Sequence, residues 1–209
     1  MAERLAHAAR AGGYIALTGG TTPEQAYKEA ARLEPDWSKT ELWWSDERCV
    51  PPDDDLSNYA LAKRTLLDRL ERDPHAVHRI KGELGKEKAA ADYELELGDT
   101  VFDLELLGVG KDGHVASLFP NAPTLQQSKR VLPAEPGLEP FVDRVTLSVP
   151  ALNSAREIVF ALSGAEKADA ARRAFASAPS PETPASLVRA RNGRTTAILD
   201  RAAAAKLPP

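Results

Sequence analysis

The stretch Tyr14-Ile15-Ala16-Leu17-Thr18-Gly19-Gly20-Thr21-Thr22-Pro23-Glu24 decides the fold class. A compact apolar run that stops at two glycines reads as a buried strand closing in a tight turn. A hydroxyl cap, a proline at the first helical position and an acid in the first turn then announce a helix through about Leu33. The rest of the chain repeats this alternation. Upstream, residues 8–13 close a short amphipathic helix that Leu5 helps to bury. Downstream, residues 41–45 read as a second strand ending at Asp46-Glu47-Arg48, and a loop rich in proline and aspartate feeds a helix over about 56–70. Residues 102–109 form another buried strand, closed by the glycine-bearing turn 108–114, and the proline-rich stretch 121–140 is mostly connecting loop. Strands follow at 144–149 and 157–162; Ser163-Gly164 opens a helix over about 165–176, and a strand at 195–199 with a short Ala-rich helix finishes the chain. Such alternation implies right-handed crossovers and a mainly parallel sheet with helices on both faces, class α/β, expected as one domain over 1–209.

Composition narrows the partners. The chain has 209 residues, 43% of them hydrophobic, which is enough for a sizeable core and argues against disorder or fibrous repeats. With 27 basic and 31 acidic residues interleaved, a net charge of −4 offers no basic footprint for nucleic acid or an anionic membrane. Any phosphate would be bound singly, as part of a small molecule. No apolar run approaches the ~20 residues that span a bilayer, and the N-terminal residues do not pattern as a signal peptide, so a cytoplasmic protein is expected. The one cysteine, Cys49, excludes an internal disulfide and a multi-cysteine zinc site. No metal and no cofactor are expected, and a monomer is expected, with weak self-association as the alternative.

In open α/β sheets ligands sit beyond the carboxyl ends of the strands, where the polar turns of this chain fall. Gly19-Gly20-Thr21-Thr22 offers close backbone approach, free amides and hydroxyls at a helix start, which suit a phosphate; taken alone the signal is weak, and an ordinary strand-to-helix turn is the better reading. No Gly-Lys-Ser/Thr follows it, and Gly108-Val109-Gly110-Lys111-Asp112-Gly113 lacks the helix start of a dinucleotide fingerprint. Asp112-Gly113-His114 can present an imidazole to a ligand, so His114 is the candidate base. His7 is expected to be exposed, and His75 and His78 have no carboxylate at a helpful helical spacing. Asp46-Glu47-Arg48 could supply a base or an orienting acid and a guanidinium for phosphate. Arg144 and Lys167 are plain surface charges unless the fold brings them to the same place.

These motifs, taken together, resemble a known family. Residues 16–23 (ALTGGTTP), Asp46-Glu47-Arg48-Cys49-Val50-Pro51 with Ser57-Asn58-Tyr59, residues 107–120 (LGVGKDGHVASLFP), residues 144–147 (RVTL) and residues 163–168 (SGAEKA) resemble the 6-phosphogluconolactonases, in the same order over nearly the whole chain. The resemblance implies a Rossmann-like sheet similar to that of the sugar-phosphate isomerases and deaminases. It also implies hydrolysis of 6-phospho-D-glucono-1,5-lactone. His114 would act as the general base, Asp112 and Asp46 would orient or tune it, and Gly19, Gly20, Thr21, Thr22, Arg48, Arg144 and Lys167 would hold the phosphate. A related deaminase carries a glutamate five residues after the histidine and a tyrosine at the arginine position; here those positions are Phe119 and Arg48, which favours the lactonase. A non-catalytic sugar-phosphate sensor is the other alternative, for whose effector domain the chain has no spare length. The family usually carries an extra segment before the first helix, so a departure is expected at the sheet edge rather than at the site.

Overall fold

A computed structural model describes residues 1–208. Helix α1 (Ala2–Ala11) buries Leu5, Ala6 and Ala9 and leads into strand β1 (Gly13–Leu17). Helix α2 (Thr21–Leu33) has Gly20 as its N-cap, so Thr21 and Thr22 lie inside the first turn, Pro23 follows them, and the expected hydroxyl cap is not made. The first-turn amides are thereby left without a side-chain acceptor. Strands β2 (Thr40–Trp44) and β3 (Asp46–Arg48) come next. The helix expected over 56–70 is helix α3 (Asn58–Thr65) followed by a separate 3-10 turn, because Leu66 leaves helical geometry at φ −126°. Strand β4 (Ala76–Val77) and helix α4 (Lys86–Leu97) occupy a stretch in which sequence reading placed nothing.

Strand β5 (Leu104–Leu107) is wholly buried. Strand β6 (Val131–Ala134) lies inside the stretch read as loop, and pairs with strand β7 (Arg144–Leu147). Helix α5 (Val149–Leu152), strand β8 (Glu157–Leu162), helix α6 (Ala168–Phe175) and strand β9 (Arg194–Leu199) complete the order. The Ala-rich end forms turns rather than the expected helix, beginning with Ala204 N–H to the Asp200 carbonyl at 3.0 Å. No helix among the described residues is long and apolar enough to cross a membrane.

The class is α/β. Six strands form an all-parallel sheet in the order β4-β2-β1-β5-β8-β9, and a second, antiparallel sheet runs β3-β7-β6. Helix α1 packs on α2 and α2 on α3, while α4 packs on β6 and β7. The chain moves outward one way from β1 to β2 and the other way from β5 to β8, which makes the β1–β5 crevice the switch point where such sheets bind ligands. Buried Ser45 joins the two sheets: its N–H donates to the Leu17 carbonyl at 3.1 Å, and its carbonyl accepts from Leu147 N–H at 2.8 Å. That joint sets Asp46 and Arg48 beside the turn that follows β1.

Candidate active site

A cavity of about 230 Å³ opens at the switch point. Gly19, Gly20, Thr21 and Thr22 line it after β1, His114 after β5, and Lys167 after β8. Asp46 and Arg48 reach it from β3, and Arg144 from β7. Of the residues to which the resemblance gives a catalytic or phosphate-binding role, only Asp112 stands outside the lining, and it touches the cavity through His114.

The imidazole and its carboxylate form one unit. Asp112 Oδ1 lies 2.6 Å from His114 Nδ1 and also accepts the His114 N–H at 3.2 Å. The carboxylate acceptor assigns the proton to Nδ1, which leaves the Nε2 lone pair free, and among the described residues no protein atom bonds Nε2. Burial opposes ionisation of Asp112, but the hydrogen bond from His114, that residue's charge and backbone N–H donors outweigh it, and the carboxyl sits below its usual range. A side chain at Gly110 would place its Cβ 2.0 Å from Nδ1, so the glycine provides the floor on which the ring lies.

The other end of the cavity is cationic. Arg48 Nη1 donates to the Leu56 carbonyl at 2.5 Å, Lys167 Nζ to the Val109 carbonyl at 2.7 Å, and Arg144 Nη2 to the Leu138 and Pro140 carbonyls at 3.4 and 3.2 Å. These donors are spent on backbone, not on carboxylates. Arg48 and Arg144 are register partners across β3 and β7, and the Nε of each is buried without an acceptor. Burial first, then the charge of Arg48, lowers the Arg144 pKa; burial first, with Lys111 adding to it, lowers that of Lys167. Cations crowded together and short of acceptors are complementary to a multiply charged anion.

Comparison with known proteins decides the relationship. The family model described as glucosamine-6-phosphate isomerases/6-phosphogluconolactonase matches residues 1–197. The chain belongs to that family. A Streptomyces coelicolor protein named 6-phosphogluconolactonase is 37% identical over 97% of this chain and 85% of its own. One from Mycobacterium tuberculosis with the same name is 39% identical over 96% of this chain and 87% of its own. The crystal structure of the Thermotoga maritima 6-phosphogluconolactonase superposes with a TM-score of 0.83 at 30% identity, covering 95% of each chain. The fold is thus that of the sugar-phosphate isomerases and deaminases.

The structure adds residues to the family motifs that sequence reading quoted without assigning a task. Glu47 is buried and caps α3: its carboxylate accepts from Arg48, Asn58 and Tyr59 N–H, each at 2.8 Å, and from Ser57 Oγ–H at 2.9 Å. Burial raises its pKa, and those hydrogen bonds oppose the rise. Asn58 donates to the Asp46 carbonyl at 2.9 Å and to Asp46 Oδ1 at 3.2 Å, and Ser117 Oγ–H donates to Asp46 Oδ2 at 2.6 Å. Asp46 therefore bonds Asn58 and Ser117, not His114. A Cβ on Gly19 would fall 1.8 Å from Asn58 Oδ1, so the first glycine of the turn after β1 is required by the asparagine beneath it. The signal for this brace was that Asp46-Glu47-Arg48 and Ser57-Asn58-Tyr59 occur together among the motifs that carry the resemblance. Cys49 takes no part: burial, then the charges of Asp143 and Glu47, pushes its thiol up to about 11. Among the described residues, no three His, Cys, Asp or Glu side chains are grouped to hold a metal ion.

Proposed function

We propose that this chain hydrolyses 6-phospho-D-glucono-1,5-lactone to 6-phosphogluconate. The observation that carries the reading is the pairing, in one cavity, of an imidazole whose Nε2 is free with three cations that lack carboxylate partners. The phosphate would lie against the α2 amides, Thr21, Thr22, Arg48, Arg144 and Lys167, with the lactone carbonyl toward His114. Water would attack C1 and pass a proton to Nε2. As the tetrahedral intermediate collapses, the bond from C1 to the ring oxygen breaks and Nε2–H returns the proton to that oxygen; the new carboxylic acid then ionises. Asp112 would hold the ring in the Nδ1–H form and stabilise the imidazolium, while Asp46 would brace Asn58 and Ser117. A lactone is an activated ester, so a positioned base and a fixed substrate suffice, without a covalent enzyme intermediate.

The test generates the lactone with glucose-6-phosphate dehydrogenase and follows acid release. His114→Asn is expected to lower kcat by about 10²-fold or more with the fold intact. A His114→Asn enzyme of full activity would remove the base from the scheme. Hydrolysis of unphosphorylated gluconolactone at an equal kcat/KM would remove the phosphate site.

A further inference from the structure

Phe119 lies behind the cavity wall, against two residues that line it, His114 and Arg144. Its ring centroid lies 5.0 Å from that of the His114 imidazole at an interplanar angle of 49°, and the guanidinium carbon of Arg144 stands 5.6 Å from the same centroid. Hydrogen bonds alone do not fix the plane of either neighbour, although the Gly110 backbone underlies the imidazole. The imidazole has one side-chain hydrogen bond, to Asp112, and a single bond fixes a point about which the ring still swings. Arg144 has an unpartnered Nε; its contact to the Leu138 carbonyl, at 3.4 Å, is long, and that to the Pro140 carbonyl, at 3.2 Å, is at the edge of the usual range.

The phenyl ring itself has no freedom to tip. It is only 7% exposed, and a Cβ at Gly137 would stand 2.3 Å from its Cγ, so the backbone of residue 137 lies flush against it. On the other side, the turn that delivers Phe119 is closed by Leu118 N–H to the Val115 carbonyl at 2.9 Å, with Ala116 in the left-handed region at φ 49°.

We propose that Phe119 is a positioning residue: one clamped ring sets the planes of His114 and Arg144 together, so that the base and the anion anchor keep a fixed relation. A tilted aromatic pair on one side and a cation over the ring on the other are both geometry-dependent attractions, which an aliphatic side chain of similar bulk does not supply. The kinetic consequence rests on the lactonase reading; the spectroscopic and binding consequences do not.

The experiment compares Phe119→Leu and Phe119→Tyr with the parent in three measurements: lactone turnover, inorganic phosphate affinity by calorimetry, and the ¹⁵N signature of the His114 imidazole. Phe119→Leu is expected to lose about 10- to 100-fold in kcat through misplacement of the base. It should also weaken phosphate binding several-fold and mix the two imidazole tautomers, whereas Phe119→Tyr should restore all three. If Phe119→Leu does not fold, Gly137→Ala displaces the ring from behind, and the same joint loss is expected. Parent-like values in the folded variant overturn the proposal. So does a change confined to either the imidazole or phosphate binding, because the coupling is what is claimed. Absence of lactone turnover in the parent would instead overturn the lactonase reading and leave the other two measurements to decide on Phe119.

Discussion

Two histidines of this protein each sit beside an aromatic ring and a carboxylate, and only one faces the cavity. His78 stacks on Trp43 with ring centroids 3.9 Å apart and planes 12° from parallel; its Nδ1 lies 2.7 Å from Glu96 and its Nε2 3.0 Å from Glu41. His114 has the same ingredients, but its second carboxylate is missing, and Nε2 is left to the cavity. A carboxylate partner alone therefore does not make an imidazole a candidate base, since His78, away from the cavity, has two. What distinguishes His114 is the nitrogen left unused and the cavity it lines. At His78 both nitrogens tie α4 to β2 beneath a tryptophan, an arrangement that contributes to stability and offers nothing to a substrate.

The sharpest way to break this contrast is to make the same change at both places. His114→Asn is expected to lose about 10²-fold or more in lactone hydrolysis, whereas His78→Asn should stay within about twofold. The unfolding free energies should run the other way, with His78→Asn costing about 1–2 kcal/mol in urea titrations because two hydrogen bonds to carboxylates and a stacked pair are lost. If His78→Asn lost activity at unchanged stability, the division between the two sites would be wrong. The partners give a second, smaller contrast. Asp112→Asn can no longer select the Nδ1–H form and is expected to lower kcat by about 10-fold or more, with little effect on KM. Glu96→Gln should leave both constants alone.

The site was more legible in the sequence than the fold around it. Gly19-Gly20-Thr21-Thr22, Asp46, Arg48 and His114 each follow a run that reads as a buried strand, and the parallel sheet carries the ends of such runs to one edge. Arg144 could not be placed that way, because its strand belongs to the antiparallel sheet, whose members are only three or four residues long and one of which contains Pro133. The strand at 144–147 was legible from its alternation, but nothing in it tells which sheet it joins, and β6 with its proline was not legible at all. Helix α4 was hidden for another reason: its buried stripe is Ala89, Ala90, Tyr93 and Leu97, while Leu95 is 83% exposed, so the most apolar residues do not mark the inner face. The partners of His78 escaped notice because Glu41 and Glu96 come from separate elements, and no local spacing encodes that meeting. The clamp on Phe119 depends on Gly137 in a segment that reads only as loop.

The same question, whether a group is paired, separates two carboxyls on β5 and the turn that follows it. Asp112 is bonded by His114 and sits below its usual range, so it contributes stability above its ordinary pKa that is lost as pH falls through the lowered value. Glu105 is the opposite case. It lies in mid-strand beside Ala16 and Ile158 with no exposed surface, and neither carboxyl oxygen has a hydrogen-bond partner. Burial first, then the negative charge of Asp46, raises it well above 4.5. The unfolded chain gives up this proton at the ordinary value while the native protein keeps it, so stability falls as pH rises from about 4.5 toward the raised value. Glu105→Leu removes an unsatisfied polar group and should stabilise the protein by about 1–3 kcal/mol at pH 8, and by less at pH 5. Lactone hydrolysis should stay within about twofold, since Glu105 does not line the cavity. An equal gain at both pH values in urea titrations would show that Glu105 exchanges its proton as freely in the native protein as in the unfolded chain. Burial alone would then not separate it from Asp112.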